Sequence, residues 1–338
     1  MKAIGYMQPG SIDRADALVD IDLPEPVATG RDLLVEVKAV SVNPVDTKVR
    51  RSAGPLEGDW RVLGWDAAGI VKAVGPDVTA FRPGDAVFYA GSLIRQGTNA
   101  QFHLVDERIV GAKPNNVGWA EAAALPLTSI TAWEALFDRL AVKRPVAGAS
   151  NVLLVIGGAG GVGSIAVQLA RQLTDLTIIA TASRAETQDW VREMGAHHVV
   201  DHGQPLGPQI EALGVGAPAY VFSTTHTGHH GADIAALIAP QGRLALIDDP
   251  EAFDIAPFKR KSVSIHWEFM YTRPIFGTAD MGEQGKLLGE VATLVDAGKL
   301  KTTLTQRLSP INAETLRQAH ALLESGTMRG KLVVEGWD

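Results

Sequence analysis

The hexapeptide Gly158-Ala159-Gly160-Gly161-Val162-Gly163 is the stretch of this 338-residue chain whose residue types and spacing point most directly to chemistry. It fits G-x-G-x-x-G, a weak pattern by itself in a chain with 35 glycines. Its flanks give it weight. The apolar run Val152-Leu153-Leu154-Val155-Ile156 precedes it, and Val162, Ile165, Ala166, Leu169, Ala170 and Leu173 follow at helical spacing. Glycines lacking Cβ atoms let a pyrophosphate approach the free N–H groups at a helix N-terminus. The competing reading, a tight strand–helix turn with no ligand, does not explain this context as well.

A dinucleotide site that prefers NAD places an acid about 20 residues after such a loop. Position 183, twenty beyond Gly163, is Ser183, next to Arg184, and Ala180-Thr181-Ala182-Ser183-Arg184 holds no carboxylate. A hydroxyl beside a guanidinium suits a 2′-phosphate, so NADPH (NADP+) is expected over NAD. Ser183 and Glu186 also read as an S-x-x-E capping box, which is compatible, since a cap and a phosphate can share one helix start. His202, after the third strand, is a candidate for the adenine ribose or its phosphate, with a surface histidine at a strand end as the alternative. His226-Thr227-Gly228-His229-His230 has no zinc spacing and reads as a polar loop over the cofactor; His197-His198 read as a helix–strand turn.

The elements that must position these groups fall into three zones. Up to about residue 125 the chain reads as short strands broken by turns, with Leu34 to Val40 alternating as a half-buried strand and Pro24, Pro26, Pro44, Pro55, Pro76, Pro83 and Pro114 as punctuation. From about 128 to 275 strand and helix alternate, through Val152 to Ile156, Thr177 to Ala182, Val199-Val200, Tyr220 to Phe222 and Leu244 to Ile247, the rhythm of a doubly wound α/β domain. Val263, Ile265, Trp267 and Phe269 alternate with Ser264, His266, Glu268 and Met270, one apolar face and one mixed as in an edge strand, and an unprotected edge invites a homodimer. Helices through Leu287 to Val295 and Leu316 to Leu323 then lead to a last strand, Lys331-Leu332-Val333-Val334.

Composition removes several classes. Net charge is −7 and cysteine is absent, so there is no basic footprint for nucleic acid, no disulfide, no redox thiol and no thiolate zinc site. No apolar run approaches the roughly 18 residues of a membrane span. Asp13, Asp16 and Asp20 interrupt the place of a signal peptide, so a cytoplasmic protein is expected.

Taken together, the glycine loop, the β-rich N-terminal part and the ending Gly330-Lys331-Leu332-Val333 resemble the medium-chain dehydrogenase/reductases. Ser41-Val42-Asn43-Pro44-Val45-Asp46 is similar to the zeta-crystallin-type quinone reductases. Asn43 to Lys48, Phe88-Tyr89-Ala90-Gly91-Ser92 and Thr181-Ala182-Ser183-Arg184 resemble the zinc-type alcohol dehydrogenase-like proteins. The resemblance implies a GroES-like β-barrel over 1–127, completed by 276–338, and a Rossmann NADP(H)-binding domain over 128–275. It implies hydride transfer in the cleft between them. Asn43 and Thr131 match positions that lie by the nicotinamide in the family, while their plain readings are a turn before Pro44 and a helix residue. The loop residues Gly158, Gly160, Gly161, Val162 and Gly163, with Ser183, Arg184 and His202, would hold the phosphates.

Asn43, Trp65 and Leu127 stand where zinc alcohol dehydrogenases keep metal ligands, and Gly64-Trp65-Asp66 replaces their Gly-His-Glu. No catalytic zinc is therefore expected. Without a Lewis acid, an electron-poor quinone or conjugated enone becomes the expected substrate, in preference to an unactivated alcohol. Asp46, Lys48, Tyr89 and Asn99 are further lining candidates, with Tyr89 or Lys48 as oxyanion donor. Enoyl-thioester or carbonyl reduction on the same scaffold, and NADPH binding without catalysis, are the alternatives.

Overall fold

The computed structural model describes residues 1–56, 58 and 60–337. The chain forms two units, Thr131–Met270 and Met1–Ile130 with Tyr271–Asp338. Their boundaries fall within the helix Pro126–Trp133 and just before the helix Thr272–Phe276. No helix among the described residues is long and apolar enough to cross a membrane.

The unit Thr131–Met270 is built on one parallel sheet. Its spatial order is His198–Val200, Thr177–Thr181, Ser150–Ile156, Pro218–Ser223, Arg243–Leu246 and Ser264–Trp267. Val152 to Ile156 are covered on both faces, which is why that strand reads as continuously apolar. On one of those faces, Leu154, Ile179, Val221 and Leu244 share a core with Ile234, Ile238 and Phe258 from the flanking helices. Strand order reverses beside Ser150–Ile156, and a sheet of this kind takes its ligand at the carboxyl ends of the strands around such a reversal.

Two local features lie beyond the sequence pattern. The helix Pro126–Trp133 continues through a π-helical stretch, Glu134–Arg139, that carries no sequence signal of its own. At the edge, the strand Ser264–Trp267 pairs on one side, yet Trp267 and Phe269 face solvent while Glu268 is buried. Arg139 explains the inversion, because its Nε donates to Glu268 Oε2 at 2.8 Å.

The other unit is mostly β. Leu304–Leu308, Lys331–Glu335, Asp32–Val42, Ala67–Val74, Ala86–Tyr89 and Val110–Ala112 lie side by side, and Phe102–Asp106 also pairs with Asp32–Val42. A smaller sheet joins Val19–Asp22, Lys2–Tyr6 and Arg61–Val62. The last strand runs antiparallel to Asp32–Val42, with Leu332 opposite Val42, so the chain's end completes the N-terminal sheet. Pro44 does not mark a strand break here. It opens the helix Pro44–Ser52, because the first helical position needs no N–H bond and Asp46 closes back on the Asn43 N–H.

Candidate functional site

In the parallel-sheet unit, Gly160 caps the helix Gly161–Leu173, leaving the N–H groups of Gly161, Val162 and Gly163 without intrahelical acceptors. The glycines serve different ends. A Cβ on Gly163 would lie 2.3 Å from Gly157 O and 2.8 Å from Gly158 Cα, so this glycine lets the helix sit against the loop. A Cβ on Gly158 would lie 2.9 Å from Ala180 Cβ, so it lets the loop sit against the neighbouring strand. At Gly160 the nearest atom would be Gly157 O at 3.6 Å, an ordinary contact. The protein itself does not require glycine there. A group approaching the backbone from outside would.

Ser183 and Arg184 leave the strand Thr177–Thr181 at its carboxyl end, and both are exposed. The expected Ser183–Glu186 box does not form. Arg184 is the capping position, and buried Thr187 closes the turn: its hydroxyl donates to Arg184 O at 2.8 Å and accepts from Arg184 N at 3.2 Å. The Arg184 guanidinium lies at the surface, 3.4 Å from Glu186. His202 follows the adjacent strand His198–Val200, and its Nδ1 is 3.0 Å from Thr181 Oγ1. Burial holds the His202 imidazole below its usual pKa against the pull of Asp201. The glycine loop, Ser183, Arg184 and His202 thus gather along one edge of the sheet. The His226 segment is not a loop: His226, in a left-handed conformation, caps the helix Thr227–Leu237, anchored by Asp248 Oδ2 accepting from Thr227 N at 2.8 Å. Thr131 is a buried residue of the helix Pro126–Trp133.

In the β unit, Asn43, Asp46, Asp66 and Lys331 form one buried polar cluster. Asn43 Nδ2 donates to Ser41 O and to Asp66 Oδ2, each at 3.1 Å. Lys331 Nζ donates to Val42 O at 2.9 Å and to Asn43 Oδ1, and lies 3.5 Å from Asp66 Oδ2. Asp66 Oδ1 accepts from Leu127 N at 3.2 Å. Asp46 accepts from Asn43 N at 2.7 Å and Gly64 N at 3.1 Å. Burial raises the Asp46 carboxyl to about 7 and the Asp66 carboxyl to about 6 despite the nearby ammonium. Burial likewise lowers Lys331, opposed by Asp66 and Asp46.

The cluster bears on zinc. A zinc ion needs several converging N, O or S lone pairs. Here Asp66 is committed to Leu127, Asn43 and Lys331, and both Asn43 amide hydrogens are committed to Ser41 and Asp66. Trp65 is fully buried, edge-on to Tyr271 with ring centroids 6.5 Å apart. The Lys331 ammonium lies 3.5 Å from the Asp66 carboxylate and would repel a metal cation placed beside it. These residues do not fit a zinc site.

Tyr89 requires a correction. It is wholly buried, stacks on His103, and its hydroxyl is 3.1 Å from His103 Nδ1. His103 Nε2 lies 3.0 Å from Gln96 O, which can only accept, so Nδ1 is bare and the phenol donates to it. That hydroxyl is spent inside the sheet and is no ready oxyanion donor. Asn99 is also buried, whereas Lys48 is exposed on the helix Pro44–Ser52. Sequence reasoning did not single out Lys331, which joins this cluster, or Thr181, which bonds His202. A lysine opening the apolar run Leu332-Val333-Val334 and an acid within Leu63-Gly64-Trp65-Asp66-Ala67-Ala68 were the available signals.

Residues 29–134 match the alcohol dehydrogenase GroES-like domain and residues 194–334 the zinc-binding dehydrogenase family. With the parallel sheet and its glycine loop, these define a medium-chain dehydrogenase/reductase, a class of oxidoreductases. Within that class, the chain belongs to the zinc-type alcohol dehydrogenase-like family. It is 41% identical over 336 residues to the Staphylococcus aureus protein of that name, covering 99% of each chain. A Rhizobium etli protein described as a zinc-dependent alcohol dehydrogenase is 70% identical, with a TM-score of 0.99 over 100% of this chain and 98% of that one. More distantly, 2-methylene-furan-3-one reductase of Solanum lycopersicum is 26% identical over 99% of this chain and 79% of its own. A mycobacterial protein complexed with NADPH is 27% identical, with a TM-score of 0.81 over 99% and 100% of the two chains.

Proposed function

We propose that the protein is an NADPH-dependent, zinc-free reductase that delivers hydride to a quinone or a conjugated enone. The observation that carries this reading is the Lys331 ammonium, bonded to Asn43 at one of the family's three zinc-ligand places and 3.5 Å from neighbouring Asp66. Without a Lewis acid to polarise an unactivated alcohol or carbonyl, the favoured acceptor is already electron-poor. The names of the tomato reductase and of a Coxiella burnetii quinone oxidoreductase, 26% identical with a TM-score of 0.80 over 100% and 99% of the chains, support that substrate class.

NADPH, when bound, supplies hydride from its nicotinamide C4. In this reading the chain's own groups bind and orient. Free N–H groups of Gly161, Val162 and Gly163 take the pyrophosphate, and Ser183, Arg184 and His202 take the 2′-phosphate. Asn43 and Thr131, both buried in the protein alone, would orient the nicotinamide end. Lys48 stabilises the developing oxyanion, and solvent supplies the proton that neutralises the reduced acceptor. The catalytic gain is mostly orientation, worth roughly 7–11 kcal/mol for well-placed partners. The reading includes a homodimer joined through the edge strand Ser264–Trp267, whose exposed Trp267 supports it.

The test is NADPH oxidation across quinones, enones and aldehydes, with primary alcohol and NADP+ in the reverse direction. Quinone or enone turnover is expected; efficient alcohol oxidation without it would sink the reading, and tight NADPH binding with no turnover would make the protein a binder. Arg184→Ala should weaken NADPH at least about tenfold, or 1.4 kcal/mol, while NADH barely changes. Elemental analysis should find no stoichiometric zinc.

A further inference from the structure

We infer that Thr181 is a positioning residue for cofactor recognition: one hydroxyl holds the glycine loop and fixes His202 as a neutral Nε2–H donor. The inference rests on the NADPH reading above. Thr181 is fully buried at the end of its strand. Its Oγ1 has two partners, Gly157 N at 3.0 Å and His202 Nδ1 at 3.0 Å. A backbone N–H can only donate, so Gly157 uses a lone pair of the hydroxyl oxygen. The hydroxyl proton then has one acceptor within reach, His202 Nδ1. If Nδ1 carried the proton instead, Thr181 would be left with a buried O–H and nothing to receive it.

The consequence is a defined tautomer. With Nδ1 bare, the ring proton sits on Nε2, which has no partner among the described residues, and His202 is half-buried, with that nitrogen left for an outside group. Thr181 lies opposite Val200 across the two parallel strands, and Ala182 N donates to Val200 O at 3.0 Å. The chains carrying Ser183–Arg184 and Asp201–His202 therefore emerge side by side. The charged and titratable groups around His202 are Asp201, which favours the imidazolium, His226, which disfavours it, and His230, whose ring centroid is 6.4 Å away. Protonating Nδ1 would also force the Thr181 hydroxyl to let go. The division of labour is then charge from Arg184 and a directed, uncharged N–H from His202, both toward the 2′-phosphate that separates NADPH from NADH.

The test uses the full chain labelled with 15N-histidine, first without cofactor. His202, assigned by its loss in His202→Gln, should show a protonated Nε2 and a bare Nδ1 near pH 7.5; an Nδ1–H tautomer or an imidazolium overturns the inference. Thr181→Val should mix the tautomers and weaken NADPH about tenfold, with a smaller loss for NADH, whereas Thr181→Ser should restore both the tautomer and NADPH binding to within about twofold. A folded Thr181→Val protein that binds NADPH as tightly as the wild type, or a folded Thr181→Ser protein that fails to recover, overturns it as well. If Thr181→Val does not fold, the wild-type spectrum and the serine variant decide. Equal wild-type affinity for NADPH and NADH would instead defeat the cofactor reading, while leaving the tautomer measurement to stand on its own.

Discussion

The two units carry polar chemistry of opposite kinds. The glycine loop works through backbone groups within a few residues of one another, open to an outside ligand. The Asn43–Asp66–Lys331 cluster works through side chains drawn from both ends of the chain, 288 positions apart between Asn43 and Lys331, and sealed from solvent. The first arrangement leaves backbone N–H groups without intrahelical acceptors. The second already contains its own charges. A buried ammonium facing two buried carboxyls is a poor bargain for stability compared with apolar packing, but breaking it on one side is worse. Here Lys331 supplies the cation that faces Asp66 and Asp46.

Removing Lys331 should have the largest effect. Lys331→Met leaves Asp66 and Asp46 buried without their cation and should cost about 3–5 kcal/mol at neutral pH, read from urea midpoints. Both carboxyls have folded-state pKa values raised by burial, to about 6 and about 7. Their favourable contribution is therefore complete below the ordinary carboxylate range and is lost as pH rises through about 6 to 7. The deficit of Lys331→Met relative to wild type should be larger at pH 8 than at pH 5. A deficit independent of pH would mean that the cluster's charges are not what the substitution disturbs.

Next comes a pair of substitutions in the loop. Gly163→Ala drives a Cβ to 2.3 Å from a backbone oxygen, and should cost about 1–3 kcal/mol of stability together with cofactor binding. Gly160→Ala meets nothing closer than 3.6 Å at an ordinary φ of −70°, so stability should stay within about 0.5 kcal/mol. NADPH should still bind at least about tenfold more weakly, because the methyl stands where the phosphates approach. Unchanged binding in Gly160→Ala would break the contrast between a loop shaped by its own packing and one shaped for a ligand.

The same contrast explains what the sequence discloses. The parallel sheet, the loop and the helix Gly161–Leu173 are readable because their signals are local: an apolar run, glycines at fixed offsets, then helical spacing. Pro44 misled because a proline that breaks a helix interior also starts one, and only Asp46 reaching back to Asn43 decides between them. Glu268 misled because alternation in a strand cannot reveal that Arg139 waits beneath it. The residue types at Asn43, Trp65 and Leu127 were legible. That Lys331 joins Asn43 and Asp66 was not, since nothing in a strand of Leu332, Val333 and Val334 says which distant acids it faces.

The smallest expected effect separates structure from catalysis within the β unit itself. Tyr89→Phe removes the donor to His103 Nδ1 and orphans a buried acceptor, at a cost of about 1 kcal/mol. Because the phenol is sealed and burial raises its pKa, kcat with a quinone or enone should remain within about twofold of wild type. Lys48→Ala removes an exposed ammonium and should leave stability nearly unchanged while lowering kcat by about tenfold or more, with little change in NADPH affinity. Thermal melts and steady-state kinetics on the two variants separate the two roles. Should Tyr89→Phe slow turnover and Lys48→Ala not, the phenol must leave His103 during the reaction, and the sealed interior of this unit would have to open to substrate.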